Sequence, residues 1–326
     1  ELKAYMELKE KLISSFIAFE NQISLDNPFV HSMRTEALSS FESKGFPQKK
    51  EEAWKYTSLK KVLKEDFSVF SKTETALEYK DVQPYFIHDI DSYKIVFVDG
   101  KYASNLSQTT HDGIDICLMS SALEKPKYRS VIENYFNKIA DKNSLTSLNT
   151  AFVNEGAYIH ITKNKMVEKP IQIIHFSTGN ESALLLQPRN LIVVDENAHV
   201  QIIERHQSLT NNSTLTNCVT EIFAAKRGIV DYYKVQNDKD SASLVDSTFI
   251  NQESESHVAV HTFSFGGKLI RNNLNFYQNG EYMDSTLKGV TIIGNKQHVD
   301  HNTLVHHIEP NCGSHQDYKG IFSDSS

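Results

Sequence analysis

From Thr146 to Phe322 the chain runs as short apolar stretches cut by Asn, Gly and Asp turns, and most alternate apolar with polar positions. AYIHIT, IQIIHFS, NLIVVDENAHVQIIERHQ, CVTEIFAA, GIVDYYKVQ, SLVDSTFI, HVAVHTFSF, KLIRNNLNFYQ, GVTIIG and HVDHNTLVHHI follow one another with no helical period between them. Strand and turn in succession predict a single mainly β body, with strands of roughly four to seven residues. Five runs begin alike, with a polar turn and usually a small residue: Asn197-Ala198-His199-Val200, Arg227-Gly228-Ile229-Val230, Glu255-Ser256-His257-Val258, Asn279-Gly280-Glu281-Tyr282 and Lys296-Gln297-His298-Val299. Val200, Val230, Val258, Tyr282 and Val299 stand 30, 28, 24 and 17 residues apart. That is too loose for a strict repeat but near one coil of a degenerate solenoid, which favours a β-helix over a sandwich.

The first 143 residues follow a different period. Leu2, Tyr5, Met6, Leu12, Ile13, Phe16 and Ile17 form one stripe, broken by Lys9, that predicts an amphipathic helix over residues 2–22. A second helix is expected to start at Asp26 or Asn27, with Pro28 in its first turn, a stripe of Val30, Met33, Ala37, Leu38 and Phe41, and a stop at Gly45. Trp54, the one tryptophan, sits beside Tyr56 in a charged phrase and reads as a hydrophobic anchor with a solvated charged face. KIVFV at 94–98 predicts a strand, with ICLMS at 116–120 as its expected partner. Tyr128 to Ile139 return to helical spacing, and Ser144 is the expected cap of a short helix carrying Leu145, Leu148 and Phe152. The expected division is a helical and small α/β region over 1–143 and a β-helix over 144–326, packed together because no flexible run separates them.

Composition narrows the classes. A net charge of -7 with no Lys/Arg arm gives nucleic-acid binding little support. No apolar run approaches the roughly 20 residues of a membrane span, and the first residues lack a signal-peptide layout, so a soluble, unexported chain is expected. Cys117, Cys218 and Cys312 are odd in number, far apart and never paired as CxxC, which argues against a disulfide framework and fits a reducing cytoplasm. Cys117 and Cys218 read as small buried hydrophobes, with Cys218 opening a strand; Cys312, in a turn between Asn311 and Gly313, reads as the more exposed thiol. The stretch 298–318 gathers His298, Asp300, His301, His306, His307, Glu309, Cys312 and His315, all metal-ligand types. Strand parity opposes a ready-made site, since His298 and His301, like His306 and His307, point to opposite faces. The remaining local metal candidates are Cys312 and His315, and the alternative is an imidazole ladder along a sheet. FSFGGK at 263–268 lacks the Ser/Thr and helix of a P-loop and reads as a turn.

Three passages resemble the SufB/SufD family of iron–sulfur cluster assembly proteins: LNTAFVNEGAYIHI with EKPIQIIH, RNLIVVDENAHVQIIE, and the long phrase from Gly266 to Asp324 with its GG-x-L-x-R, Q-H-V-D-x-x-T-x-V-x-H and S-x-Q-x-Y-K-G elements. EEAWKYTSL at 51–59 resembles the SufD branch. The resemblance implies a right-handed parallel β-helix and a non-catalytic scaffold subunit that pairs with SufB through the core. It implies that the SufC ATPase is bound through a helical C-terminal part, and that the iron–sulfur cluster is built transiently by the full complex; whether a flavin joins that complex stays open. The family's Cys-Ser-His-Gly-Ala-Thr run, whose histidine is a candidate cluster ligand, is expected past Ser326, together with the helices that dock SufC. A homodimer in isolation is a further expectation. Two other readings remain at this stage: a β-helical carbohydrate-active enzyme, and a SufB-like subunit that holds the cluster itself.

Overall fold

The computed structural model describes residues 2–23, 27–69, 76–87, 89–109, 114–179 and 183–326. Six α-helices lie among them, with the first five strands interleaved: α1 (Leu2–Gln22), α2 (Pro28–Lys44), α3 (Tyr79–Val82), β1 (Tyr93–Val98), β2 (Lys101–Tyr102), β3 (Ile114–Leu118), α4 (Met119–Glu124), α5 (Arg129–Tyr135), α6 (Ser144–Ala151), β4 (Ala157–Ile161) and β5 (Ile171–Ser177). Then come only strands: β6 (Leu184–Leu186), β7 (Arg189–Val194), β8 (His199–Ser208), β9 (Thr214–Ala224), β10 (Ile229–Gln236), β11 (Ala242–Gln252), β12 (His257–Ser264), β13 (Leu269–Gln278), β14 (Asp284–Ile293), β15 (His298–His307) and β16 (Gly313–Phe322).

Successive strands from β7 to β16 alternate between two sheets. One sheet runs β3-β4-β7-β9-β11-β13-β15, the other β2-β1-β5-β8-β10-β12-β14-β16. Pairing is parallel except at β1/β2 and β3/β4. This is the expected β-solenoid, with about six turns and an N-terminal helical region. Most strands from β8 onward are 8 to 11 residues long, longer than the sequence pattern suggested, because polar inward residues extend each apolar run.

The coil length becomes regular once register is known. Val200, Val230, Val258, Ser285 and Ser314 stack as Cα partners, at spacings of 30, 28, 27 and 29 residues. Tyr282 is a turn residue and Val299 belongs to the opposite sheet, beside Ile270, so the expected spacings of 24 and 17 were not coils. What recurs is backbone shape: Asn197, Arg227, Glu255, Tyr282 and Asn311 all turn the corner with φ between 56° and 63°. The residue after each faces the corner of the interior, which explains the small buried Ala198 and Ser256. At Gly228 a Cβ would lie 2.9 Å from the Ala225 carbonyl oxygen.

The two sheets differ in what covers them. Every residue of β7 and β9 is buried, whereas β10 alternates strictly between half-buried and buried. The helices account for the difference: α1, α2 and α6 pack Leu12, Phe16, Phe41, Leu148 and Phe152 onto Leu185, Leu215 and Val245, and α4 and α5 cover Leu191, Val193 and Phe223. Helix boundaries follow the expected signals, with the Asn27 side chain capping α2 and Gly45 closing it at φ 66°; Asp26 lies outside the described residues. The short helix is capped by Asn143, whose Oδ1 accepts from the Leu145 and Thr146 amides, one residue before the expected Ser144. KIVFV and ICLMS are not partners. β1 adds to one sheet beside β5 and β3 to the other beside β4, so both sheets cross the 143/144 line.

A buried ion pair ties the halves together. Arg189 Nη2 donates to Glu221 Oε2 at 2.7 Å with both side chains wholly buried. The Glu221 carboxylate also accepts from the backbone amides of Asn137, Ile139 and Ala140, in the loop between α5 and α6. Removing one charge of such a pair strands the other in a low dielectric. Glu221→Gln is expected to cost about 3 kcal/mol in urea unfolding; a loss below about 1 kcal/mol would show that the pair does not hold the helices on the solenoid.

Candidate functional site

Parity decides which side chains of a strand enter the interior. Val200 and Ile202 face inward on β8, so Glu204 and His206 do too. On the sheet opposite, Asn190, Cys218, Thr220 and Asp246 share the inward face with Ile192 and Ile222. The coils therefore stack His175 on His206 and Gln236, and Cys218 on Asp246, Asn272 and His301. Two polar rows face each other across the interior, beside the isoleucine and valine rows that fill the rest of it.

At the early coils these rows bring five ionisable groups together. His175 Nε2 and His206 Nε2 lie 3.4 and 3.6 Å from Glu204 Oε1, beyond a normal hydrogen bond. Neither ring nitrogen has a hydrogen-bond partner, and the two rings are stacked with centroids 4.7 Å apart. Glu204 Oε1 accepts from Asn190 Nδ2 at 2.9 Å and faces Cys218 Sγ at 3.6 Å, while Oε2 accepts from the Tyr232 hydroxyl. Two sets of donor atoms thus converge within 4.8 Å, His175 with Glu204 and His206, and Glu204 with Cys218 and Asp246.

Burial alone would protonate Glu204, yet the two imidazoles outweigh it and hold the carboxyl well below its ordinary range. His175 is pulled down by burial. For His206, burial is the largest single influence and acts the same way, but the hydrogen bond and attraction of Glu204 together with the charges of Asp246 and Asp238 outweigh it, and the net shift is upward. Cys218 and Tyr232 are pushed well up by burial and by the negative charges of Glu204 and Asp246.

Further along the axis the polar file is satisfied internally. Lys234 lies 2.7 Å from Asp246 and donates to Thr248 at 2.6 Å. Gln236 donates to Asn272 at 2.6 Å, Asn272 meets His301 at 3.3 Å, and His301 meets Thr291 at 3.0 Å. Burial lowers His301 to about 4, and Tyr318 leans on its ring with centroids 5.0 Å apart. The file thus runs through the coils from β5 to β15.

The sequence candidates lie elsewhere. Cys312 follows the left-handed Asn311 and occupies the corner position of Ala198 and Ser256, half-buried and not in an open turn, with Sγ 3.1 Å from the Gly280 carbonyl. His315 is largely exposed and faces Asp284 at 3.4 Å. Neither belongs to the converging donor sets. The histidines before them serve separate contacts: His298 meets Thr57 at 3.1 Å, His306 stacks on Tyr277, and His307 meets Ser314. Cys218 is buried as expected, but it lies in the middle of β9 among polar groups. Sequence reasoning passed over Glu204 and His206, although their shared parity with Val200 and Ile202 was the available signal.

The Trp54 phrase also finds its place on the solenoid. Arg271 lies over the Trp54 ring, 5.1 Å from its centroid, and pairs with Asp300, which also accepts from the Thr57 hydroxyl. Beside it opens a groove of about 1280 Å³ lined by lysines of both parts, among them Lys49, Lys60, Lys61, Lys268 and Lys296. The charged face expected to be solvated is therefore one wall of a positive cleft.

Comparison with known proteins adds the family. A family model described as the SufBD core domain of the SUF iron–sulfur cluster assembly system matches residues 175–326, and one for the SufBD N-terminal region matches 6–173. The chain is 25% identical over 287 residues to the iron-sulfur cluster assembly SufBD family protein slr0076 of Synechocystis, covering 85% of this chain and 63% of that protein. It is 26% identical to the assembly protein SufD of Bacillus subtilis (61% and 46% covered) and 22% identical to SufD of Escherichia coli (86% and 63% covered). It therefore spans about half to three fifths of these relatives' length. None of the described helices is long and apolar enough to cross a membrane.

The thiols should separate by environment. Burial raises Cys117 to about 11 and Cys218 further, so little thiolate forms at either near pH 8. Iodoacetamide on the native protein, followed by peptide mass spectrometry, is expected to modify Cys312 first and Cys218 only in urea. Native modification of Cys218 at the rate of Cys312 would contradict the closed interior.

Proposed function

The chain belongs to the SufBD family of iron–sulfur cluster assembly proteins, and from that premise we propose that it serves as the SufD-type, non-catalytic subunit of an assembly scaffold. In this reading it pairs with a SufB-type sister and works with a SufC-type ATPase, and the iron–sulfur cluster is the cargo of the assembled complex. The observation that carries the proposal is the family match in both parts of the chain, together with relatives named SufD in two bacteria. A second point supports the SufD branch. The Glu-Ala-Trp-Lys-Tyr-Thr phrase is not a loose surface feature, since Trp54 and Thr57 grip Arg271 and Asp300 on the outer face of β13 and β15.

Affinity purification of the tagged full-length protein from its native source tests the assignment. SufB-type and SufC-type proteins are expected to co-elute in fixed ratio and to separate from it only under dissociating conditions. Recovery of the tagged protein alone, while those two proteins elute together in another fraction, would contradict it.

A further inference from the structure

We propose that the cluster inside the early coils is a binding site for one divalent transition-metal ion of the Zn²⁺ or Fe²⁺ class, held by His175, His206 and Glu204. The site is separate from the surface residues Cys312 and His315, and it does not depend on the scaffold assignment.

Geometry is the first ground. A tetrahedral ion with nitrogen and oxygen ligands at about 2.0–2.1 Å sets them about 3.3–3.4 Å apart. His175 Nε2 and His206 Nε2 face Glu204 Oε1 at 3.4 and 3.6 Å, and one donor atom from each of the three residues lies within 4.8 Å of the others. These separations are too long for good hydrogen bonds and close to those of ligands around one ion. The imidazoles lie parallel at 4.7 Å, so closing on the ion requires their Nε2 edges to tip toward each other.

The second ground is the unpartnered nitrogens. His175 and His206 are at least nine-tenths buried, and the Nε2 atom of each lacks any hydrogen-bond partner while pointing at the same carboxylate oxygen. Buried polar atoms are ordinarily paired, and two orphans aimed at one point indicate a missing common partner. Asp246, though within reach of Cys218 and Glu204, is engaged by Lys234 at 2.7 Å, which places the ion on the histidine side.

The surroundings suit such an ion. Asn190 and Tyr232 orient Glu204 from behind, and the Phe97 ring stacks on His175 with centroids 5.1 Å apart. The Glu204 carboxylate offsets part of the ion's charge, and the two imidazoles bind in their neutral form. Imidazole and carboxylate donors favour Zn²⁺ or Fe²⁺ over Mg²⁺ or Ca²⁺.

The test is metal analysis of the purified protein from cells grown with added zinc or cobalt, after dialysis against a weak chelator. About one ion per chain is expected, and the cobalt form should show the visible bands of a low-coordinate site. His175→Gln with His206→Gln should remove the ion and those bands, while Cys312→Ser with His315→Ala changes neither. Should the double histidine variant fail to fold, His206→Gln alone serves, with circular dichroism as control and a weakened or lost ion expected. Wild-type protein without stoichiometric ion after both growths would overturn the proposal. So would a bound ion unaffected by the histidine substitutions.

Discussion

In-register parallel stacking of the coils is the constraint on which the rest depends. Each inward residue lies directly on its counterpart one coil away, so a side chain's environment is set by residues 26 to 31 positions distant rather than by its sequence neighbours. Apolar positions stack into continuous rows, as Ile192, Ile222, Ile250 and Phe276 do. Polar positions stack in the same way, which is how a chain of this length can carry a polar file through its interior. A lone buried amide or carboxylate costs several kcal/mol, but a row in which each group meets the next greatly reduces that cost. Gln236, Asn272 and His301 are such a row, and the two histidines at its early end are where satisfaction fails.

The same stacking explains the N-terminal half. A parallel sheet needs both faces covered, and one sheet of this solenoid is clothed by α1, α2, α4, α5 and α6. The Arg189–Glu221 pair and the Asn149 amide, which reaches the Pro188 and Asn217 carbonyls, lock those helices at the first coils. The Trp54 phrase does so near the last described ones. The helical region thus runs along the sheet as its cover, which is why the signature phrase sits far from the coil it touches in sequence.

Much of this could be seen in the amino-acid order, and the failures share one cause. The helical period of α1, the capped start of α2 and the alternation of the later strands are local signals, and each held, although the buried face of α1 is Leu8, Leu12, Phe16 and Phe19, with the expected Met6 and Ile17 left exposed. Coil length was blurred because the recurring feature at Asn197, Arg227, Glu255, Tyr282 and Asn311 is a left-handed backbone, which residues of four types adopt. β1 and β3 were paired with each other because they are near in sequence, whereas each finds a nearer partner in the stack. Cys218 looked like a small hydrophobe because its strand neighbours are apolar. Its contact with Glu204 spans two strands and two sheets, and only register places it.

Family membership and interior chemistry meet in the same geometry: coils held in register present a fixed surface outside and a fixed set of donors inside. Disulfide trapping between coils tests that register most directly. In a Cys312→Ser background, the outward pair Gln201→Cys with Asp231→Cys, which are Cα partners on β8 and β10, is predicted to cross-link readily under mild oxidation. Gln201→Cys with Tyr233→Cys, on the same face but two residues out of step, is predicted to remain reduced. Equal cross-linking of both pairs, or preference for the second, would contradict the stacking and with it the convergence of His175, Glu204 and His206.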